Sequence, residues 1–282
     1  MGVRVTDLSI ERNFLHNIFK LEKRLARLQD QASSGRRILR PQDDPIGTGR
    51  AVYLRHDMAV NNQYQRNIDK AKNWMEQTES ALAHLTNVIT RARELALTGA
   101  TGTTPPDAKK AIAVEIEQLW EEAISVLETT VDKRNLLTGA MPVWKVARDV
   151  TITSDDLTQL EDGDLKEYIN VTFQQLKYAL DPEDPSQEPD EDAIQQLIGD
   201  LDDCLDKILS QRAKNGARLR RLDILSEKAL NMDIEYERLL SNVEEVDLVE
   251  VVVRLKSQEA AYQAALAVGA RLIQPSLLDH LR

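Results

Sequence analysis

The chain has 282 residues, enough to bury a sizeable core in one large domain or two smaller ones. Its 42% hydrophobic and 29% charged content excludes both a disordered tail and a membrane-embedded chain, and few aromatics, 11 glycines and 9 prolines favour long helices over sheet. The net charge of −11 sits in one place: residues 154–206 hold 17 acids against 2 bases, and the remainder is close to neutral, which argues against nucleic-acid binding and for a solvated, outward-facing segment.

The first predicted element runs from Leu8 to Ala32. Leu15, Ile18, Leu25, Leu28 and Ala32 fall on one face, with Phe14 and Leu21 at its flank, as in a helix packed on another helix. Ser33-Ser34-Gly35 breaks it, and a polar loop punctuated by Pro41, Pro45 and Gly47 follows as far as Gly49. The second helix is expected from the region of Met58 to Thr98. In it Ile68, Ala71, Met75, Thr78, Leu82, Leu85, Ile89, Ala92 and Ala96 step by alternating threes and fours, a sustained heptad that spans roughly 60 Å at 1.5 Å per residue.

Gly99 to Thr104 ends that helix, and Pro105-Pro106 opens the next at a first-turn position. Its stripe is Ile112, Ile116, Leu119, Ala123, Val126 and Thr130, stopping near Gly139, so the two helices form an antiparallel hairpin. Between 140 and 190 the pattern changes. Val146, Val150 and Ile152 alternate loosely and Ile169, Val171 and Phe173 strictly, as half-buried strands do, although the segment around Tyr168 also fits a helix. Pro182, Pro185 and Pro189, interleaved with acids, read as a solvated linker.

Helix resumes near Glu191 with Ile194, Leu197, Leu201, Leu205 and Ile208 as its stripe. A second heptad run follows through Leu222, Leu225, Ala229, Met232, Tyr236, Leu239, Val243 and Val246. Asp247 with Glu250 three residues on is a capping-box pattern, so the helix kinks or restarts there. An alanine-rich helix from Leu248 to about Ile273 is stopped by Pro275. The expected fold is mainly α: a long antiparallel helical rod or coiled coil made by pairing amino- and carboxy-terminal helices, with a small α+β insertion at one tip. Its expected parts are terminal coiled-coil assembly helices (1–45 and 240–282), a helical rod (46–139 and 191–239) and a small outward-facing insertion (140–190).

The sequence offers little chemistry. His16, His56, His84 and His280 are scattered without metal-ligand spacing, and no Cys-x-x-Cys, His-Glu-x-x-His or phosphate-loop motif is present. Gly47-Thr48-Gly49 lacks the strand and third glycine of a dinucleotide site and reads as turn chemistry. Cys204, the single cysteine, lies beside Leu201, Leu205 and Ile208 and reads as a small core residue. Asp43 and Asp44 before a proline turn read as a cap or loop acceptors rather than an acid–base pair. Arg36, Arg37 and Arg40 form a basic cluster with two readings, a solvated face or pairing with acids such as Asp43 and Asp44 on a neighbouring subunit. Asn170-Val171-Thr172 fits a glycosylation pattern, which three residues alone do not establish. Met1 to Thr6 has no apolar signal core and no run reaches transmembrane length. The chain is therefore expected to be cytosolic, or exported by a route that reads no cleaved signal.

Several segments resemble one family. Leu28 to Ile38 (Leu-Gln-Asp-Gln-Ala-Ser-Ser-Gly-Arg-Arg-Ile), followed by Pro41-Gln42-Asp43-Asp44-Pro45, is similar to the amino-terminal signature of bacterial flagellins. The Asp-Asp-Pro form, with Arg50-Ala51 in the next helix, is more typical of the family's hook–filament junction subunits. At the other end Gly216-Ala217-Arg218-Leu219, Asn242 to Leu248, Gln258 to Leu266 and the tail Gln274 to Asp279 are similar to the family's carboxy-terminal helices. The match covers roughly 1–139 and 191–282. It departs at Asn135 to Gly139, where an aromatic-Gly motif is expected.

The resemblance implies a structural subunit of the bacterial flagellum, exported without a cleaved signal peptide and needing no cofactor. It would form a ring of identical subunits, join the first hook-associated protein to the flagellin filament, and use an export chaperone; neither nucleic acid nor membrane insertion is implied. Its assembly residues would be the terminal apolar positions Leu15, Ile18, Leu25, Leu28, Leu248, Val252, Leu255, Tyr262, Leu266, Leu272 and Ile273, with Arg36, Arg37, Asp43 and Asp44 at the turn. The rivals are a short flagellin filament subunit and, in another class, a cytosolic coiled-coil scaffold or signalling protein.

Overall fold

A computed structural model describes residues 3–101, 104–137, 143–152, 164–182 and 190–273. Six helices dominate these residues: α1 (Val3–Ser34), α2 (Pro45–Gly99), α3 (Pro106–Leu127), α4 (Asp164–Leu180), α5 (Glu191–Glu244) and α6 (Leu248–Ile273). Among the described residues between α3 and α4 lie four short strands: β1 (Thr130–Val131), β2 (Arg134–Asn135), β3 (Trp144–Ala147) and β4 (Val150–Ile152). The chain divides into two compact units, 60–232 and a terminal unit made of 1–59 with 233–282.

The 60–232 unit is closed around the heptads. All nine stripe residues of α2 from Ile68 to Ala96 are at most 2% exposed, which is what a seam matched on its partner requires. One core joins Leu82 to Ala96 of α2, Ile112 to Leu127 of α3, Ile169 to Leu180 of α4 and Ile194 to Ile208 of α5. A second joins Ile68, Ala71, Trp74 and Met75 to Leu222 and Ala229, with Leu136, Val146 and Ile152 inserted from the strand region.

Both strand pairs are antiparallel hairpins. In β1–β2, Thr130 pairs with Asn135 and Val131 with Arg134, so Asp132 and Lys133 form a two-residue loop. Both have positive φ, 49° and 64°, the conformation of the hairpin turn whose twist matches its strands. In β3–β4, Trp144 opposes Ile152, and the Trp144 ring meets Trp74 edge-on at 6.1 Å.

Three boundaries differ from the sequence reading. Helix α2 starts at Pro45 and not near Met58, because Asp44 caps it. Helix α3 ends at Leu127, short of Gly139, where the β1–β2 hairpin takes over. The alternating Ile169-Val171-Phe173 segment is helical and not a strand: Ile169, Phe173, Leu176 and Leu180 are buried at helical spacing while Val171 faces solvent. The acidic linker around Pro185 and Pro189, the tail from Gln274, and Gly139 lie outside the described residues.

Candidate assembly surface

In the terminal unit, a turn over residues 35–47 ties together α1, α2 and the α5–α6 junction. Gly35 ends α1 in the left-handed region, φ 68°, which a residue without a β-carbon adopts at least cost. Beyond it the chain runs antiparallel to the end of α5. The Arg37 amide donates to the Glu244 carbonyl at 2.6 Å, the Val246 amide donates to the Gly35 carbonyl at 3.1 Å, and Arg36 bridges Glu245.

Side chains reinforce that lock. The Arg37 guanidinium donates to the Val243 carbonyl at 2.7 Å and reaches Asp44 at 3.2 Å. Asp43 accepts from the Arg40 amide at 3.0 Å and faces Arg27 at 3.3 Å. Arg55 of α2 pairs with Glu244 at 2.6 Å. Thus Arg37 with Asp44, and Arg27 with Asp43, are partners within one chain. Arg36 is exposed and lines a cleft of about 560 Å³ together with Arg55, Glu237, Arg238, Glu244 and Glu245.

Asp44 is an N-cap. Its carboxylate accepts from the Gly47 amide at 2.8 Å, and Pro45 fills the first helical position, where no amide is needed. The Gly47 bond, followed by the Arg37 guanidinium, holds the Asp44 carboxyl below its ordinary value, against an opposing effect of partial desolvation. A β-carbon at Gly47 would stand 2.5 Å from the Asp44 carboxylate and 2.7 Å from Ile38, so this cap needs glycine there.

The apolar positions on α1 and α6 are incompletely covered. Leu15 is 44% exposed, and Ile18, Leu25 and Leu28 are half-buried. On α6, Leu248, Val252 and Leu266 are exposed and Leu255 and Tyr262 half-buried; the side chains of Leu272 and Ile273 lie outside the described residues. The two helices do pack on each other: a β-carbon at Gly269 would overlap the Phe14 ring. Val249 and Val253, 75% and 64% exposed, add to the open face of α6. The sequence reading missed them because they lie beside the helical stripe rather than on it. It also missed Arg27, Arg55 and Glu244, whose pairing depends on a turn that periodicity does not specify.

Among the described residues no group of three or more His, Cys, Asp or Glu is placed to hold a metal ion, and no helix is long and apolar enough to cross a membrane. Cys204 is buried, and burial pushes its thiol up to about 12, far from a nucleophile's range.

Residues 5–141 match the model of the bacterial flagellin N-terminal helical region. The amino-terminal part of the chain is thus flagellin-like. The whole chain is 23% identical to flagellar hook-associated protein 3 of Salmonella typhimurium, over 92% of its length and 93% of the relative's. It is 26% identical to the flagellar filament 33 kDa core protein of Treponema phagedenis, over 98% and 94%. Two solved structures share its fold: FlgL of Bacillus cereus (21% identity, TM-score 0.55, 66% of this chain and 99% of that one) and FlgL of Xanthomonas campestris (15%, 0.52, 66% and 99%).

Proposed function

We propose that this chain is a flagellin-like structural subunit, the one that joins the flagellar hook to the flagellin filament. The observation that carries the reading is the contrast between its two units. The α2 seam in the 60–232 unit is shut to water, whereas α1 and α6 pair and still expose Leu15, Val249, Val252, Val253 and Leu266. Apolar helix faces left open in one copy are satisfied by neighbouring copies, so the terminal helices are the polymerising part. Full-length similarity to a hook-associated protein 3 supports the junction reading.

In this reading the protein is structural and not an enzyme. It works outside the cell after export, possesses no cofactor, and assembles as a ring that meets the first hook-associated protein on one side and flagellin on the other, with an export chaperone before assembly. Residues 1–45 and 240–282 carry the contacts, 46–139 with 191–239 form the helical body, and 140–190 faces outward. Leu15, Leu25, Leu248, Val252 and Leu266, with Leu272 and Ile273 in the last turn of α6, supply the apolar contact. Arg36 offers a free charge to a neighbour.

The second reading, a filament subunit, is favoured by the equally long match to a Treponema filament core protein. Deleting the gene separates the two. Hooks without filaments, with flagellin released into the medium, are expected for the junction subunit. Hooks without filaments and no flagellin in the medium would make this chain the filament protein, and normal motile filaments in a strain with no second copy would overturn both.

A further inference from the structure

Two polar side chains interrupt the α2–α5 seam. Asn61 lies seven residues before Ile68 and Asn215 seven before Leu222, so each occupies a heptad position otherwise filled by apolar residues. They are 5% and 0% exposed. The Asn61 Nδ2 donates to the Ala229 carbonyl at 2.8 Å, and the Asn215 Nδ2 donates to the Met75 carbonyl at 3.0 Å. The pair is reciprocal, each helix giving one amide and one carbonyl. The two contacts lie two heptads apart on both helices, so both report one antiparallel alignment, with the apolar cluster of Ile68, Ala71, Met75 and Leu222 between them.

We propose that these asparagines, together with the ion pairs beside them, form a register lock that forbids α2 and α5 from pairing one heptad out of step. An apolar heptad seam alone discriminates poorly between such alignments, because a shift of seven residues again sets stripe against stripe. The asparagines remove that degeneracy. Slipped one way, Asn61 comes opposite Leu222 and Asn215 opposite Ile68; slipped the other way, they come opposite Tyr236 and Leu82. Asn61, which reaches its carbonyl over the small Ala229, then meets Leu222 or Tyr236, and Asn215 exchanges the flexible Met75 for the β-branched Ile68 or for Leu82, so each slip replaces a fitted amide–carbonyl contact by a bulkier or stiffer side chain.

The flanking charges act in the same sense. In the native alignment Arg212 pairs with Glu79 at 2.8 Å and Lys72 with Asp223 at 2.5 Å. The first slip carries Arg212 opposite Lys72, and the second carries Asp223 opposite Glu79, so like charges meet in either direction. The arrangement thus opposes both neighbouring registers, whatever the chain's place in an assembly.

The test uses the full-length chain with spin labels at Asn73→Cys and Lys228→Cys, both exposed positions, with the buried Cys204 left in place. The variant Asn61→Leu/Asn215→Leu/Lys72→Glu/Asp223→Lys keeps a native ion pair by exchanging its partners. It removes both buried amides and turns each slipped-register repulsion into an attraction. After refolding from denaturant, pulsed electron resonance is expected to show one label distance for the parent and a second population in the variant, from an axial displacement of about 10 Å. Asn61→Leu/Asn215→Leu, which only replaces buried amides by apolar groups, is measured beside it in case four changes prevent folding. A single parental distance in the fourfold variant, or, should that variant not fold, in Asn61→Leu/Asn215→Leu refolded at salt high enough to screen the flanking charges, would overturn the lock.

Discussion

Asp44 holds the start of α2 by one hydrogen bond to Gly47 and one ion pair to Arg37, and the two can be separated by mutation. Asp44→Asn keeps a capping oxygen without charge, so at neutral pH it is expected to melt somewhat below the parent, whereas Asp44→Ala melts lower still. The pH dependence has a definite sign. The folded carboxyl lies below its ordinary value of 3.8, so its contribution is complete above that pH and is lost as the pH falls through the lower folded value. Thermal melts between pH 2 and 5 should therefore converge for the parent and Asp44→Asn at the acid end. A parent advantage that persisted at the lowest pH would show that the charge is not what Asp44 contributes. Cys204 makes the opposite case. With its thiol at about 12 through burial, it should resist a thiol reagent at pH 8 in the native protein and react at the normal rate in denaturant. Fast native labelling would mean that this part of the core opens readily.

At the scale of elements, the β1–β2 hairpin turns on two residues with side chains, Asp132 and Lys133, held at positive φ. Lys133→Gly relieves the left-handed penalty of about 1–2 kcal/mol and restores chain entropy of about 0.5–1 kcal/mol, for a net gain of about 0.5 kcal/mol in chemical denaturation. A loss of stability would mean that the lysine side chain contributes more than its backbone costs. The contrast between this hairpin and α2 shows what the sequence makes legible. The α2 heptad could be read because one long helix buries one face on long partners, so every third or fourth residue reports the same seam. Asp247 could be read as a cap, and its carboxylate does accept from the Val249 and Glu250 amides at 2.9 and 3.2 Å. The segment 169–173 misled because three alternating apolar residues fit a strand as well as they fit a helix with one exposed valine. Only Leu176 and Leu180, one and two turns further on, decide it, through packing into the α2–α3–α5 core. At the candidate surface the apolar stripes of α1 and α6 were visible as stripes. The salt links of Arg27, Arg37 and Arg55 were not, since a turn decides which acid each arginine meets.

For the whole molecule, the two units should differ in their dependence on neighbours. The 60–232 unit closes its own core, while the terminal pair α1–α6 leaves apolar positions in water, which stabilises it less by about 25 cal/mol for each Å² not buried. Limited proteolysis of the monomer is expected to remove both ends and leave a core near residues 45–240; cleavage beginning inside α2 or α3 would contradict that order. The same asymmetry separates folding from assembly. Leu15 and Leu266 are 44% and 45% exposed, so Leu15→Asp and Leu266→Asp should leave the melting of the monomer within about 0.5 kcal/mol of the parent, as surface changes do. In the polymer each would bury an unpaired carboxylate against apolar neighbours, a cost of several kcal/mol. Sedimentation under assembly conditions is then expected to show the parent forming oligomers and both variants remaining monomeric with unchanged helicity. Assembly at parental strength by both variants would place the polymerising contact elsewhere on the chain, and would move attention to the charged cleft around Arg36 and Glu237.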